Sequence, residues 1–275
     1  MKNNKSKYFF RRTASLAAAA AIIFYAANSG TEVSAADSPS DTDTGSVTVS
    51  IDTSAGRKAI SPYIYGINSE SDLSGVSVNA IIQTDPQVSS YNWENNMSND
   101  GSGNDRSLVS LYPPNKLSEA GLYTEYLVSR ASRYGIPSRY VTLQMMGKTA
   151  GNMSSGNLWN DVRFEKNDAY LSIPDTNDGI VYMDEYVSFL VNKYDYAVNG
   201  GINGYFLGNE PENWSERYPE AVPQPVTADE LISRSSELAY SVKKIDPTAL
   251  VYGPSLNGIE AFININNPDD WDCLL

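Results

Sequence analysis

The chain has 275 residues, 33 of them acidic and 20 basic, with no histidine and one cysteine. Without histidine, Ser-His-Asp and Cys-His triads and His-based metal sites are excluded, and a lone Cys273 allows no internal disulfide. The remaining chemistry rests mainly on carboxylates, Lys and Tyr, while 19 Tyr and 4 Trp supply aromatic faces that suit either sugar stacking or core packing.

Residues 1–35 read as a targeting segment: MKNNKSKYFFRR carries five positive charges, SLAAAAAIIFYAA is a short apolar core, and Val33-Ser34-Ala35 precedes a cleavage site. The apolar run is short for a membrane span, so an exported, secreted protein is expected. Removing the leader's five basic residues and Glu32 from the totals of 20 and 33 leaves 15 against 32, a net charge of −17. Such a surface argues against nucleic acid and anionic membranes as partners and is compatible with a neutral polysaccharide or with bound cations.

Residues 36–46, ADSPSDTDTGS, form a polar linker that cannot bury a core. SVTVSID then alternates, with Val47, Val49 and Ile51 on one side, and predicts a half-buried antiparallel strand within residues 47–59. Ile60–Asn68 reads as a buried strand and Val88–Trp93 as a second, separated by a polar stretch. Leu117–Tyr134 carries an apolar stripe and predicts a helix, and Ser138–Gly147 a third strand. Lys148–Gly179 reads as a long polar loop. Tyr182–Val198 is a second helix, residues 201–208 a fourth strand, Thr227–Ile245 a third helix opened by a Thr227/Glu230 capping box, and Ala249–Leu256 a fifth strand.

Alternating strands and helices predict a parallel sheet with helices outside it, either a (β/α)₈ barrel or a doubly wound sheet. No Gly-rich phosphate loop follows the first strand, so the barrel is preferred. Only about five strands fit, so residues 60–275 read as an incomplete TIM barrel. The ending NNPDDWDCLL reads as an interruption.

In such barrels the active site lies at the C-terminal strand ends. Glu210 falls there, in YFLGNEPENW, where Pro211 ends the fourth strand. A carboxylate held among apolar side chains at a barrel mouth suits a general acid at neutral pH. Asn209 is placed to bond a sugar hydroxyl and Trp214 to form a stacking wall, and the plain alternative is a polar turn.

Several segments resemble glycoside hydrolase family 44, the endoglucanase and xyloglucanase family. They are IDTSAGRKAISPYIYGIN (51–68), YNWENNMSN (91–99), VTLQMMGKTAGN (141–152), GYFLGNEPENW (204–214) and VYGPSL (251–256). The resemblance implies a retaining (β/α)₈ endo-β-glycosidase of plant polysaccharides such as β-glucan or xyloglucan. It implies Glu210 as acid/base, Asn209 on the sugar 2-hydroxyl, and Trp93 with Asn92 in the substrate cleft. It also implies that the strand within residues 47–59 belongs to a β-sandwich domain.

Glu94 is expected to bind sugar or to organise its loop. A structural calcium ion beside Glu94 is the one metal considered; no other cofactor is expected. Lys148 stands where many members carry an aromatic residue, so the sugar subsites are expected to differ. The implied nucleophile belongs to a later strand, and neither Glu70 nor Glu94 matches its position. A non-catalytic sugar-binding protein on the same scaffold is the rival reading.

Overall fold

The structure is a computed structural model and describes residues 49–84, 86–104, 112 and 114–263. The leader, the linker and Cys273 lie outside the described residues. The chain divides into two units, Met1–Ile60 and Ser61–Leu275. In the first, the described part of the expected strand, Val49–Asp52, forms no strand, and Val49 and Ile51 are exposed. An alternating strand needs a partner sheet to bury its apolar side, and none is present among the described residues of that unit.

The second unit begins with a 3-10 turn, Pro62–Ile64, followed by the short strand β1, Gly66–Asn68. The remaining strands in chain order are β2 (Ala80–Ile82), β3 (Ser138–Leu143), β4 (Lys148–Ala150), β5 (Trp159–Arg163), β6 (Ile180–Tyr182), β7 (Gly204–Leu207) and β8 (Leu250–Tyr252). The helices are α1 (Leu122–Tyr134), α2 (Met183–Tyr194), the single-turn α3 (Trp214–Arg217), α4 (Ala228–Ile245) and α5 (Ile259–Ile263). β1, β2, β3, β7 and β8 form one sheet in that order, and every pair is parallel.

Five parallel strands were expected, but the second is not the expected one. Val88–Trp93 is a 3-10 turn and an irregular segment, and Ala80–Ile82 takes the place between β1 and β3. Val76, Val78, Ala80 and Ile82 recur at alternate positions, a strand signal at the end of an otherwise polar stretch, and pairing on both sides holds Ala80–Ile82 in the sheet. α1 also starts later than the apolar stripe suggested. Gly121 sits at φ +73°, and a Cβ there would lie 2.8 Å from the Phe189 ring, so the helix begins after it and Leu117 stays exposed.

The expected long loop, Lys148–Gly179, is largely structured. β4 pairs antiparallel with β5, and β5 pairs parallel with β6, giving a small second sheet. α4 opens with the capping box read from sequence: Glu230 N–H donates to Thr227 Oγ1 at 3.3 Å and Thr227 N–H donates to Glu230 Oε2 at 3.0 Å.

Val141, Leu143, Tyr205 and Leu207 of β3 and β7 join Tyr186, Val187 and Leu190 of α2 and Leu238 and Val242 of α4 in one core. On the opposite sheet face, Tyr140, Phe206 and Tyr252 make ring contacts with centroids 5.2–6.0 Å apart. The alternation of side chains along a strand separates the two sets. Arg234 on α4 donates to the carbonyls of Met145 and Met146 at 3.3 and 3.0 Å, tying that helix to the C-terminal end of β3. No described helix is long and apolar enough to cross a membrane.

Candidate active site

The chain leaves β7 through Gly208 at φ +68°, where a Cβ would crowd Trp214 and Met145 at 3.1 and 3.3 Å. Two residues on, Glu210 is held at φ 48°, ψ 57°, a left-handed conformation uncommon outside Gly. Its N–H donates to Ser255 O at 2.8 Å, and Asn213 N–H donates to Glu210 O at 3.0 Å, so backbone on both sides fixes the turn. The carboxylate is partly exposed. Asn213 Nδ2 and Arg217 Nη1 both face its Oε2 at 3.4 Å. Beside it Asn209 is buried, and its carbonyl accepts from Ser89 Oγ and Trp214 Nε1, each at 2.9 Å. The Asn209 side-chain Nδ2 has no partner among the described residues. A buried amide donor without a partner among the described residues thus lies next to a partly exposed carboxylate.

Glu212 links this turn to the segment after β8, its Oε1 accepting from Asn257 N–H at 2.7 Å. Burial, with the nearby Glu210 charge, raises the Glu212 carboxyl above its ordinary range, against the backbone donors and Arg217.

The YNWENN segment is a packing hub. Tyr91 OH donates to Asn96 Oδ1 at 2.9 Å; that oxygen also accepts from Leu122 N–H at 2.8 Å, at the start of α1. Asn92 Nδ2 donates to Ala150 O at 2.8 Å, and its Oδ1 accepts from Glu94 N–H at 3.0 Å. Trp93 is fully buried, stacked on Tyr186 with centroids 5.0 Å apart and planes 8° apart. Glu94 is 4% exposed, and its Oε2 has no partner among the described residues. Burial first, then the charges of Asp178 and Glu185, push its carboxyl up to about 8, with Lys166 opposing.

A profile of glycoside hydrolase family 44 matches residues 86–272, more than half of the chain. The chain belongs to glycoside hydrolase family 44. It is 38% identical over 244 residues to a beta-mannanase/endoglucanase A of Caldicellulosiruptor saccharolyticus, covering 82% of this chain and 18% of that protein. It matches the family 44 endoglucanase Cel44A of Clostridium thermocellum at 38% identity and TM-score 0.72, over 79% of this chain and 45% of the other. A family 44 xyloglucanase of Paenibacillus polymyxa, solved with xyloglucan, matches at 38% identity and TM-score 0.71, over 78% and 45%. The chain therefore spans less than half the length of these relatives.

Within this family 44 chain the structure keeps Glu210 and Asn209 together at one strand end and separates the other sequence candidates from it in role. Trp214 was expected as a stacking wall; it is 1% exposed and holds the Asn209 carbonyl from within. Trp93 and Asn92 were expected in the cleft; both are buried and engaged in packing or loop bonds. Aromatic and amide side chains serve either purpose, and only the surrounding atoms decide. Glu70 accepts from Ser69 Oγ at 2.6 Å and from Tyr123 OH. Lys148 pairs with Asp161 across β4 and β5.

Sequence reasoning missed Arg217, which reaches Glu210 because a 3-10 turn and α3 fold the intervening residues back. A cation seven residues after the carboxylate was the only available signal. Among the described residues no group of three or more Cys, Asp or Glu side chains is placed to hold a metal.

Trp214→Phe keeps most of the buried ring and deletes the N–H to Asn209. It is expected to cost about 1–2 kcal/mol in denaturant unfolding, while Asn209 O retains Ser89. An unchanged midpoint would show that the bond contributes nothing.

Proposed function

We propose that this chain is the N-terminal portion of a secreted retaining endo-β-1,4-glycanase of plant cell-wall polysaccharides. In this reading its large sheet is the first five strands of a (β/α)₈ barrel. The observation that carries it is the pair at the end of β7 in a family 44 chain: Glu210 partly exposed, and beside it Asn209, whose buried amide has no partner among the described residues. The consecutive, all-parallel strand order supports the barrel, since active sites of that fold gather at the C-terminal strand ends. The relatives' names, endoglucanase, beta-mannanase/endoglucanase and xyloglucanase, support a neutral β-linked polysaccharide. The composition of residues 1–35 supports export.

In the first step Glu210 gives its proton to the glycosidic oxygen as the C1–O bond breaks and a second carboxylate bonds to C1. In the second, the Glu210 carboxylate takes a proton from water as water displaces that carboxylate. Asn209 Nδ2 would hold a ring hydroxyl through both steps. The second carboxylate must lie roughly 5–5.5 Å from the first and be ionised. Glu94 fails on charge, being buried and protonated at neutral pH, and Glu70 is engaged by Ser69 and Tyr123.

The nucleophile is therefore assigned to the part of the family 44 domain that this chain does not span. The 275-residue chain assayed alone is expected to release no reducing ends from xyloglucan or carboxymethylcellulose. Measurable release above a heat-treated control would overturn the assignment.

A further inference from the structure

A groove of about 420 Å³ opens between the end of β5 with the residues after it and the second half of α4. Its volume is within the ~300–1,000 Å³ of small-ligand clefts. None of its lining residues belongs to the turns that carry Asn209 and Glu210, and none has a part in the chemistry above.

Four polar or aromatic groups define its chemistry. Tyr240 is 65% exposed and has no aromatic partner among the described residues. Glu237, three residues earlier on the helix and so on the same face, is oriented by Ser233 Oγ donating to its Oε1 at 2.8 Å. Opposite them, Arg163 makes no ion pair among the described residues, and Glu165, two residues on, is paired to Lys244 of α4 at 3.4 Å. That pair also fastens the two walls together.

The arrangement selects a ligand class. Two carboxylates against one lining cation, on a chain of net charge −13, repel anions. An open groove with one exposed ring offers no deep apolar volume for a lipid chain. A phenol face for ring C–H groups, beside planar Arg and Glu side chains that each meet two neighbouring hydroxyls, suits a neutral polyhydroxylated chain. We propose that this groove is an auxiliary site for a β-linked glucan, separate from the strand-end site. Such a site would hold polymer on the protein and raise its concentration at the catalytic end. The ligand class rests on the glycanase reading; the groove does not.

The test is calorimetric titration of the 275-residue chain with cellotetraose. Tyr240→Ala and Arg163→Ala are each expected to weaken binding about tenfold, and Tyr240→Phe to keep it. Both positions are exposed, and unchanged circular dichroism confirms the fold. Glu210→Gln serves as the independent arm: binding retained in it and lost in Tyr240→Ala supports the groove whatever Glu210 does. Absence of binding, or binding unaffected by both alanine variants, overturns the proposal. Binding lost only in Asn209→Ala would place the ligand at the strand end and overturn it as well.

Discussion

Glu210→Gln, made in this chain joined to the remainder of a family 44 domain, is expected to lower turnover on xyloglucan by roughly 10²–10⁴-fold with substrate affinity preserved. Gln occupies the same volume and keeps an oxygen toward Asn213 and Arg217, so the turn built on the Ser255 carbonyl should stand. What it loses is the proton. The first step then has to expel an unprotonated sugar alkoxide, and the second has no base for water. A discriminating readout follows from the leaving group. A glycoside of an acidic phenol needs little protonation, so its first step should be spared, and the deficit should shift to hydrolysis of the covalent intermediate. Unchanged turnover in the variant would remove Glu210 from the chemistry. Absence of turnover in both proteins, with sugar still bound, would support a binding protein on a glycosidase scaffold.

Glu94→Gln is expected to stabilise the chain in a pH-dependent way. The native carboxyl titrates near 8 against an ordinary 4.5, because burial and the charges of Asp178 and Glu185 disfavour its ionised form. Between those values the folded state keeps a proton that the unfolded state has lost, so stability falls as pH rises across the window and is level above it. At about 1.4 kcal/mol per pH unit of difference, the penalty reaches on the order of 3–5 kcal/mol at alkaline pH. Gln carries no such charge.

Melting curves with a chelator present should show variant and parent alike near pH 4.5. They should lie on the order of 10 °C apart near pH 8.5. A difference independent of pH would mean that Glu94 is ionised in the native protein. Glu94 is then not a buried neutral acid.

The parts of this protein legible in its sequence are those whose signal is local. α2 and α4 were visible because apolar residues recur at helical spacing, and Thr227 with Glu230 marks the start of α4 chemically. β3 and β7 are visible because a buried parallel strand must be an apolar run, and the position of Glu210 follows from Pro211 ending β7.

Three features were decided only by tertiary structure. β2 is three residues long and exists because β1 and β3 pair with it. The small sheet of β4, β5 and β6 gathers residues that read singly as loop. The tryptophans are the sharpest case, since an indole ring suits a sugar face and a protein core equally well. Both rings are buried, Trp93 against Tyr186, which is far away in sequence, and Trp214 on the Asn209 carbonyl, which the turn after β7 folds back onto it. The sequence alone determined that a carboxylate stands at a strand end. Folding decided that Arg217 and Asn213 face it, because contact between side chains depends on how the turn after β7 closes.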